Sequence, residues 1–523
     1  MSKTDQRPPV VFTDDGWMMN LPTLPSPEII KETVVDPFEG LPASLWWSIG
    51  DHEVYHYETK IGEQLGEGYA LSELPDALTN HNRPDWLINQ ITNLRHLMEN
   101  HGGPVTVLSK LCREAGLEFF TRVRMNSHYG ILASDIGYGR FRRENPGLLI
   151  GRPGEEIPAG TIDHDIRTGK DYAHPEVRDY MYAIITELFE RFDVDGVSMD
   201  FCRHPAFFRR EEAYQNRYLM TDLVQRIRER MNEVSKDRGR PIKLAVRVGP
   251  TIADSTRIGL DVKNWIDESL VDIVVAGKGS IPYEMPIGEF VEAAKDKKIQ
   301  VYGCIEGMRP LIDDNALRGA AARNWRYGAG IYLYNYFTLP TAWKRRMLPQ
   351  LADPARLAQL DKRYELDHAD RILYGGHGGA FRNVVPAAQL PVVLHETLTE
   401  NGPILRIDIA DDLEAAKKED TLTRCVLGLL FDNFTPMDEL DLRLNDEPLP
   451  WASSRTSYLP WPDSSMTSFP SMGGKRSIQY DVGSPPLRFG INELEIRVRS
   501  SGPRGTDPPI VIGVEVTIQY RKD

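Results

Sequence analysis

Cysteine is scarce in this chain: Cys112, Cys202, Cys304 and Cys425 are the only four in 523 residues, and none stands in CxxC spacing. That excludes both a disulfide-built scaffold and a thiolate zinc site. Positive charge is short too, with 62 Lys+Arg against 76 Asp+Glu and a formal net charge of −14. Such a chain repels a phosphate backbone, so nucleic acid is not an expected partner. No apolar run approaches a membrane span, and the N-terminal MSKTDQRPPVVFTDDGW lacks the apolar stretch of a secretory signal. No membrane partner is expected, and the plain placement is cytoplasmic. A protein already trimmed of its leader would read the same way and would be periplasmic or secreted. No feature indicates an oligomeric state.

What is present is the composition of a folded protein, 41% hydrophobic and 26% charged, and its length calls for more than one core. Up to about residue 340, amphipathic helical stretches alternate with short β-branched and aromatic runs that end in polar residues or glycine. Eight such runs occupy 10–17, 44–51, 117–126, 195–202, 243–249, 271–279, 299–307 and 330–337. Eight strands with intervening helices close most naturally into a (β/α)8 TIM barrel, expected over residues 1–365. The stretches 52–116 and 127–175 exceed what a connection requires and read as loops that shape a substrate site. From about 370 the texture changes to short strand-like runs such as GPILRIDIADDL, ELDLRLNDEPL and NELEIRVRS, separated by Pro, Gly and Asp. An all-β sandwich is expected over residues 366–523.

Chemistry in such a barrel sits at the C-terminal ends of the strands. The sharpest polar interruption is FDVDGVSMDFCRHP, residues 192–205. Alternation puts Gly196, Ser198 and Asp200 on one face, and along the seventh run Tyr302, Cys304 and Glu306 share a face. Asp200 and Glu306 therefore both point toward the mouth. Two carboxylates across one pocket suit glycosidic bond cleavage, one protonating the departing oxygen while the other attacks the anomeric carbon or activates water. Their separation distinguishes a retaining from an inverting enzyme, and retention is favoured. The competing account is that each acid balances inward arginines, since Arg122, Arg124 and Arg247 share the interior parity. Both can hold, because arginine beside an acid lowers its pKa, which suits a nucleophile and hinders a general acid.

Around the same mouth gather Trp46, Trp47, Asp51, Asn126, His128, Arg203, His204, Lys278, Tyr334 and Tyr336. Sugars have apolar faces and hydroxyl rims, so aromatic platforms interleaved with such donors match a carbohydrate, and the arginines with Lys278 favour an anionic one. Neither a metal nor another cofactor is called for: the first run ends in TDDGW without an HxH pair.

DVDGVSMDFCRHP, RVRMNSHY and VYGCIEGM resemble the glycosyl-hydrolase-like family-10 proteins, over roughly residues 10–345. The resemblance implies a barrel glycosidase with a DG-x-x-x-D segment closing strand four and a C-terminal β-domain. DGVSMDFC also resembles the chitinase-type DGxDxDxE motif at Asp195, Gly196 and Asp200, but Ser198 replaces its middle acid and Cys202 its terminal glutamate. Substrate-assisted chitinase chemistry is therefore not implied. The barrel glycosidases with acids on strands four and seven imply Asp200 as acid/base and Glu306 as nucleophile. Families acting on α-linked sugars imply the reverse. Two other readings stand beside these: a Schiff-base aldolase using Lys278 at the end of VDIVVAGK, and a sugar-binding barrel without catalysis.

Overall fold

The computed structural model describes residues 8–50, 53–79, 83–128, 135–277, 284–307, 313–369, 383, 388–395, 401–435, 438–458, 475–500 and 508–521. Eight strands close into one barrel: β1 (Val10–Asp14), β2 (Ala43–Ser48), β3 (Glu118–Arg124), β4 (Gly196–Asp200), β5 (Lys243–Val248), β6 (Ile273–Ala276), β7 (Gln300–Glu306) and β8 (Gly330–Tyr334). All neighbours are parallel, and β8 returns to β1 with Ile331 beside Val10. Parallel strands covered on both faces must be apolar on both, which is why these runs read as nearly continuous hydrophobic stretches.

The two faces nevertheless bury different things. Val11, Trp46, Phe120, Ala245, Ile273, Val275, Tyr302, Cys304, Tyr332 and Tyr334 fill the barrel, while the opposite parity joins the larger core against the helices. The Trp46 ring stacks on Phe120 at 4.8 Å and meets Tyr332 edge-on at 5.3 Å, a packed floor of aromatic side chains. Above that floor the interior turns polar: Asp200 lies in register with Arg124 on β3 and Arg247 on β5. The Asp–Gly step that opens β4 serves the other end of the strand. The Asp195 carboxylate accepts from the Phe119 amide at 2.9 Å and from Arg240 at 2.7 Å. A Cβ on Gly196 would lie 2.6 Å from the Lys243 carbonyl and 2.2 Å from the Phe120 ring. That half of the motif fixes strand pairing rather than chemistry.

Two antiparallel sheets follow. One has β12 (Leu422–Asp432) at its centre, flanked by β18 (Ile510–Tyr520) and β16 (Arg476–Asp481), with β15 (Arg455–Tyr458) beyond β16 and β10 (Val392–Val393) beyond β18. The other runs β11 (Ile404–Ile409), β17 (Gly490–Ser500), β13 (Glu439–Leu444), β14 (Glu447–Leu449). Inward residues of both sheets, among them Ile407, Leu427, Leu442, Ile478, Ile496 and Val516, form one core, as in a sandwich. β9 (Lys362–Glu365) pairs with β18, so the second sheet system begins a few residues before position 366. One short helix, Leu413–Lys418, interrupts the expected run of strands. All four cysteines are buried and free. Among the described residues no helix is long and apolar enough to cross a membrane.

Candidate active site

β3, β4, β5, β7 and β8 each carry a polar side chain at or next to their last residue, aimed into the barrel, and these side chains meet. Asp200 is fully buried. Its Oδ2 accepts from Arg122 Nη1 at 2.5 Å and from Arg247 Nη1 at 3.3 Å. Its Oδ1 accepts from the backbone amides of Cys202 at 3.1 Å and Arg203 at 3.3 Å, the turn that follows β4. Burial pushes the Asp200 carboxyl up, but Arg247, Arg122 and Arg124 overcome it and hold the acid down at about 2. It is a carboxylate at any working pH.

Glu306 ends β7 and is also buried. Its Oε1 accepts from Asn335 Nδ2 at 2.8 Å and Arg203 Nη1 at 3.2 Å, and its Oε2 faces Arg247 Nη2 at 3.5 Å. Arg247 therefore spans the two acids, one terminal nitrogen on each. Because those nitrogens share one carbon, the carboxylates lie no farther apart than the upper limit, roughly 9.5 Å, of the spacing used by glycosidase acid pairs.

Asp15, just past β1, completes the set. It accepts from Arg122 Nη2 and, at 2.8 Å, from Arg124 Nη2. Tyr334 organises rather than displays: Arg247, Arg122 and Arg203 lie over its ring at 4.3, 4.7 and 5.6 Å. Its hydroxyl sits 3.2 Å from Arg122 and 3.4 Å from both Arg124 and Asp15. Four guanidiniums and three carboxylates thus interlock around one aromatic ring. Asp15 and Asn335 are the residues sequence reasoning missed. Asp15 was visible in TDDGW as an acid at a strand end, and Asn335 carries φ +65°, the left-handed conformation for which asparagine is suited.

The other expected residues are placed differently. Asn126 spends its side chain on backbone: Nδ2 donates to the carbonyls of Lys170 and Ala206 at 2.9 and 2.7 Å, and Oδ1 accepts from Lys170 N at 2.9 Å. It clamps the 135–175 insertion to the barrel rather than presenting a donor to a ligand. Trp46 belongs to the barrel floor, its Nε1 donating to Ser44 at 2.8 Å. Trp47 lies in the core between barrel and helices, as does Tyr336, which stacks on Trp343 at 5.6 Å. Asp51 and Lys278 lie outside the described residues. Cys202 and Cys304 are barrel-interior thiols pushed up by burial, Cys304 to about 12, so neither is a thiolate nucleophile. Among the described residues no group of three or more His, Cys, Asp or Glu is placed to hold a metal ion.

His128 and His204 face each other edge to face at 5.3 Å, both buried. Burial, with Arg142 and Lys170 nearby, holds the His128 imidazole down at about 3, so it is neutral in the folded protein. The unfolded imidazole takes its proton near about 6.5. Between these values only the unfolded chain binds that proton, and stability falls as pH drops through the window. His128→Gln is expected to lose about 2 kcal/mol less than the parent between pH 7 and pH 5. Urea midpoints at the two pH values measure this, and equal losses would contradict it.

No family model matches the chain, and no curated protein matches it. Among solved structures, it is similar to an endo-beta-1,4-mannanase from Thermotoga petrophila, with TM-score 0.41 and 9% identity over 97% of each chain. It is similar also to a GH36 alpha-galactosidase from Geobacillus stearothermophilus, with TM-score 0.36 and 13% identity over 99% of this chain and 56% of that one. An alpha-L-fucosidase from Paenibacillus thiaminolyticus gives TM-score 0.39 and 12% identity over 75% of this chain and 52% of the other. The chain therefore spans about half the length of the galactosidase and the fucosidase. The closed barrel itself, not these likenesses, defines the fold.

Proposed function

We propose that the barrel is a glycoside hydrolase acting on an oligo- or polysaccharide, with Asp200 and Glu306 as its carboxylate pair and no cofactor. The observation that carries this reading is Arg247, whose two terminal nitrogens reach Asp200 at 3.3 Å and Glu306 at 3.5 Å, so both acids share one guanidinium at the strand ends. The arginines around Asp200 support a division of roles between the two acids. Asp200, held ionised by arginine, cannot deliver a proton and is suited to attack the anomeric carbon. Glu306, which is paired with Arg203 and Arg247 and accepts from Asn335, is left as the acid/base that protonates the departing oxygen and then takes a proton from the water that releases the sugar, giving retention. This reverses the assignment implied by acid-on-strand-four glycosidases. The arginines, Arg203 nearest the surface at 11% exposure, suit a uronate or sulfate group on the substrate.

A second reading, a sugar-binding barrel without turnover, is favoured by the complete burial of Asp200. A panel of neutral, uronate and sulfated polysaccharides separates the two, with new reducing ends and the anomer first released followed by NMR. Release of the retained anomer from at least one substrate is the expected result. Binding by calorimetry with no new reducing end from any of them would overturn hydrolysis in favour of the binder.

A further inference from the structure

The outer sheet of the sandwich carries a groove that the barrel chemistry does not use. On β13 the residues alternate: Leu440, Leu442 and Leu444 are buried in the core, and Glu439, Asp441 and Arg443 face outward. The register sets Asp441 beside Arg497 and Arg443 beside Glu495 of β17. These outward side chains, with Trp451 after β14, line a cavity of about 880 Å³, within the roughly 300–1,000 Å³ typical of ligand sites. The sheet meets the barrel at its β11 edge, where Asp408 accepts from Arg326 at 2.5 Å, whereas most of the groove lining belongs to β13, β14, β17 and the residues beside them.

Two features specify the chemistry of an occupant. First, Trp451 is 41% exposed, yet its ring is braced against the buried Phe434 ring at 6.4 Å, and Arg476 lies over Phe434 at 5.3 Å. A large aromatic ring is thus exposed to solvent beside a buried one. Second, the lining is strongly polar but balanced, with four carboxylates against four guanidiniums among the described residues. The pairs are solvent-accessible: Arg497 Nη2 reaches Asp441 at 2.6 Å with more than a third of each side chain exposed, and Arg499 stands 4.0 Å from the same acid. A polyanion or polycation gains nothing from a balanced field, whereas planar carboxylates and guanidiniums hydrogen-bond adjacent hydroxyls in pairs. A ligand with one apolar face and many neutral hydroxyls satisfies both features.

We infer that this groove is a second, non-catalytic binding site for a neutral oligosaccharide segment, with Trp451 as its stacking platform. The site stands on its own lining and does not require the barrel to be a hydrolase. It would hold the chain on polysaccharide by a surface separate from the barrel mouth.

Native electrophoresis of the full chain through gels containing galactomannan, xyloglucan, hydroxyethyl cellulose or alginate tests it. At least one neutral polymer is expected to retard the protein, and Trp451→Ala to weaken that retardation at least about tenfold. Trp451→Phe should restore part of it, and Asp200→Asn, its fold checked by circular dichroism, should leave it unchanged. Retardation that is equal in Trp451→Ala, confined to alginate, lost in Asp200→Asn, or absent from every neutral gel overturns the site. Circular dichroism of Trp451→Ala, an exposed position, keeps a folding defect from imitating the expected loss. Absence of turnover with groove-dependent retardation intact would overturn only the hydrolase reading.

Discussion

Asp200→Asn is expected to lower kcat by on the order of 10⁴-fold and to destabilise the barrel by about 3 kcal/mol. Both effects follow from where the charge sits. The carboxylate is fully buried and is shared by Arg122 at 2.5 Å and Arg247 at 3.3 Å, so neutralising it leaves two guanidiniums with a diminished partner in a medium that cannot solvate them. Asparagine keeps the shape and one acceptor oxygen, which places the cost at the lower end of that expected for breaking a buried pair. The kinetic loss is separable from the thermodynamic one. In Asp200→Gly, if the proposed roles hold, added azide enters the vacated space and attacks the anomeric carbon while the proposed acid/base Glu306 protonates the departing sugar oxygen, so a glycosyl azide should accumulate. Rescue by azide identifies a missing nucleophile and is not produced by loss of folding alone. Parent-like turnover in Asp200→Asn at an unchanged melting temperature would remove Asp200 from both roles.

The barrel was legible because parallel strands buried on two faces leave an unmistakable pattern of short apolar runs, and because period-two alternation predicts facing. Asp200, Glu306, Arg122, Arg124 and Arg247 meet where their parity places them. What parity cannot supply is depth. Trp46 shares the inward parity but sits below the polar layer, packed on Phe120, and so is floor rather than platform. Beyond a strand's last paired residue the alternation no longer applies: Asn335 takes a positive φ, after which Tyr336 stacks on Trp343 in the outer layer instead of following Tyr334 inward. The type of Asn126 fits a ligand donor, but backbone far off in sequence consumes its hydrogen bonds. Polar residues that hold loops and polar residues that hold substrates look alike until the chain is folded. The arginines differ: shared parity already marks them as partners of the acid, and the contacts that hold Asp200 ionised join β3, β4 and β5.

Asp411→Ala is expected to cost about 3–5 kcal/mol and to lower the melting temperature of the sandwich by roughly 10 °C, with little direct effect on the barrel mouth. Asp411 lies beside β11, where its Oδ1 accepts from Tyr520 at 2.6 Å and pairs with Lys362 Nζ at 2.9 Å, and its Oδ2 accepts from Tyr364. Lys362 and Asp411 are each 1% exposed, and Lys362 also donates to the carbonyls of Leu357 and Leu360 at 2.7 Å. One carboxylate thereby ties β9, which leads out of the barrel, to β18 and to the opposing sheet. Burial already pulls the Lys362 ammonium below its usual range, with Asp411 acting against it. Without Asp411 the opposing pull is gone and burial lowers the Lys362 ammonium further, whereas the unfolded lysine keeps its proton up to about pH 10.4. Below that value the unfolded state of the variant binds the extra proton, so its stability should rise with pH between 7 and 9 more steeply than the parent's. Adding Lys362→Met to Asp411→Ala should recover more than half of the loss, because the uncompensated charge rather than the missing contacts dominates it. Urea melts of both single variants and the double variant at pH 7 and 9 measure the coupling, and additive losses with no pH dependence would show that the pair is not a buried charge pair in solution.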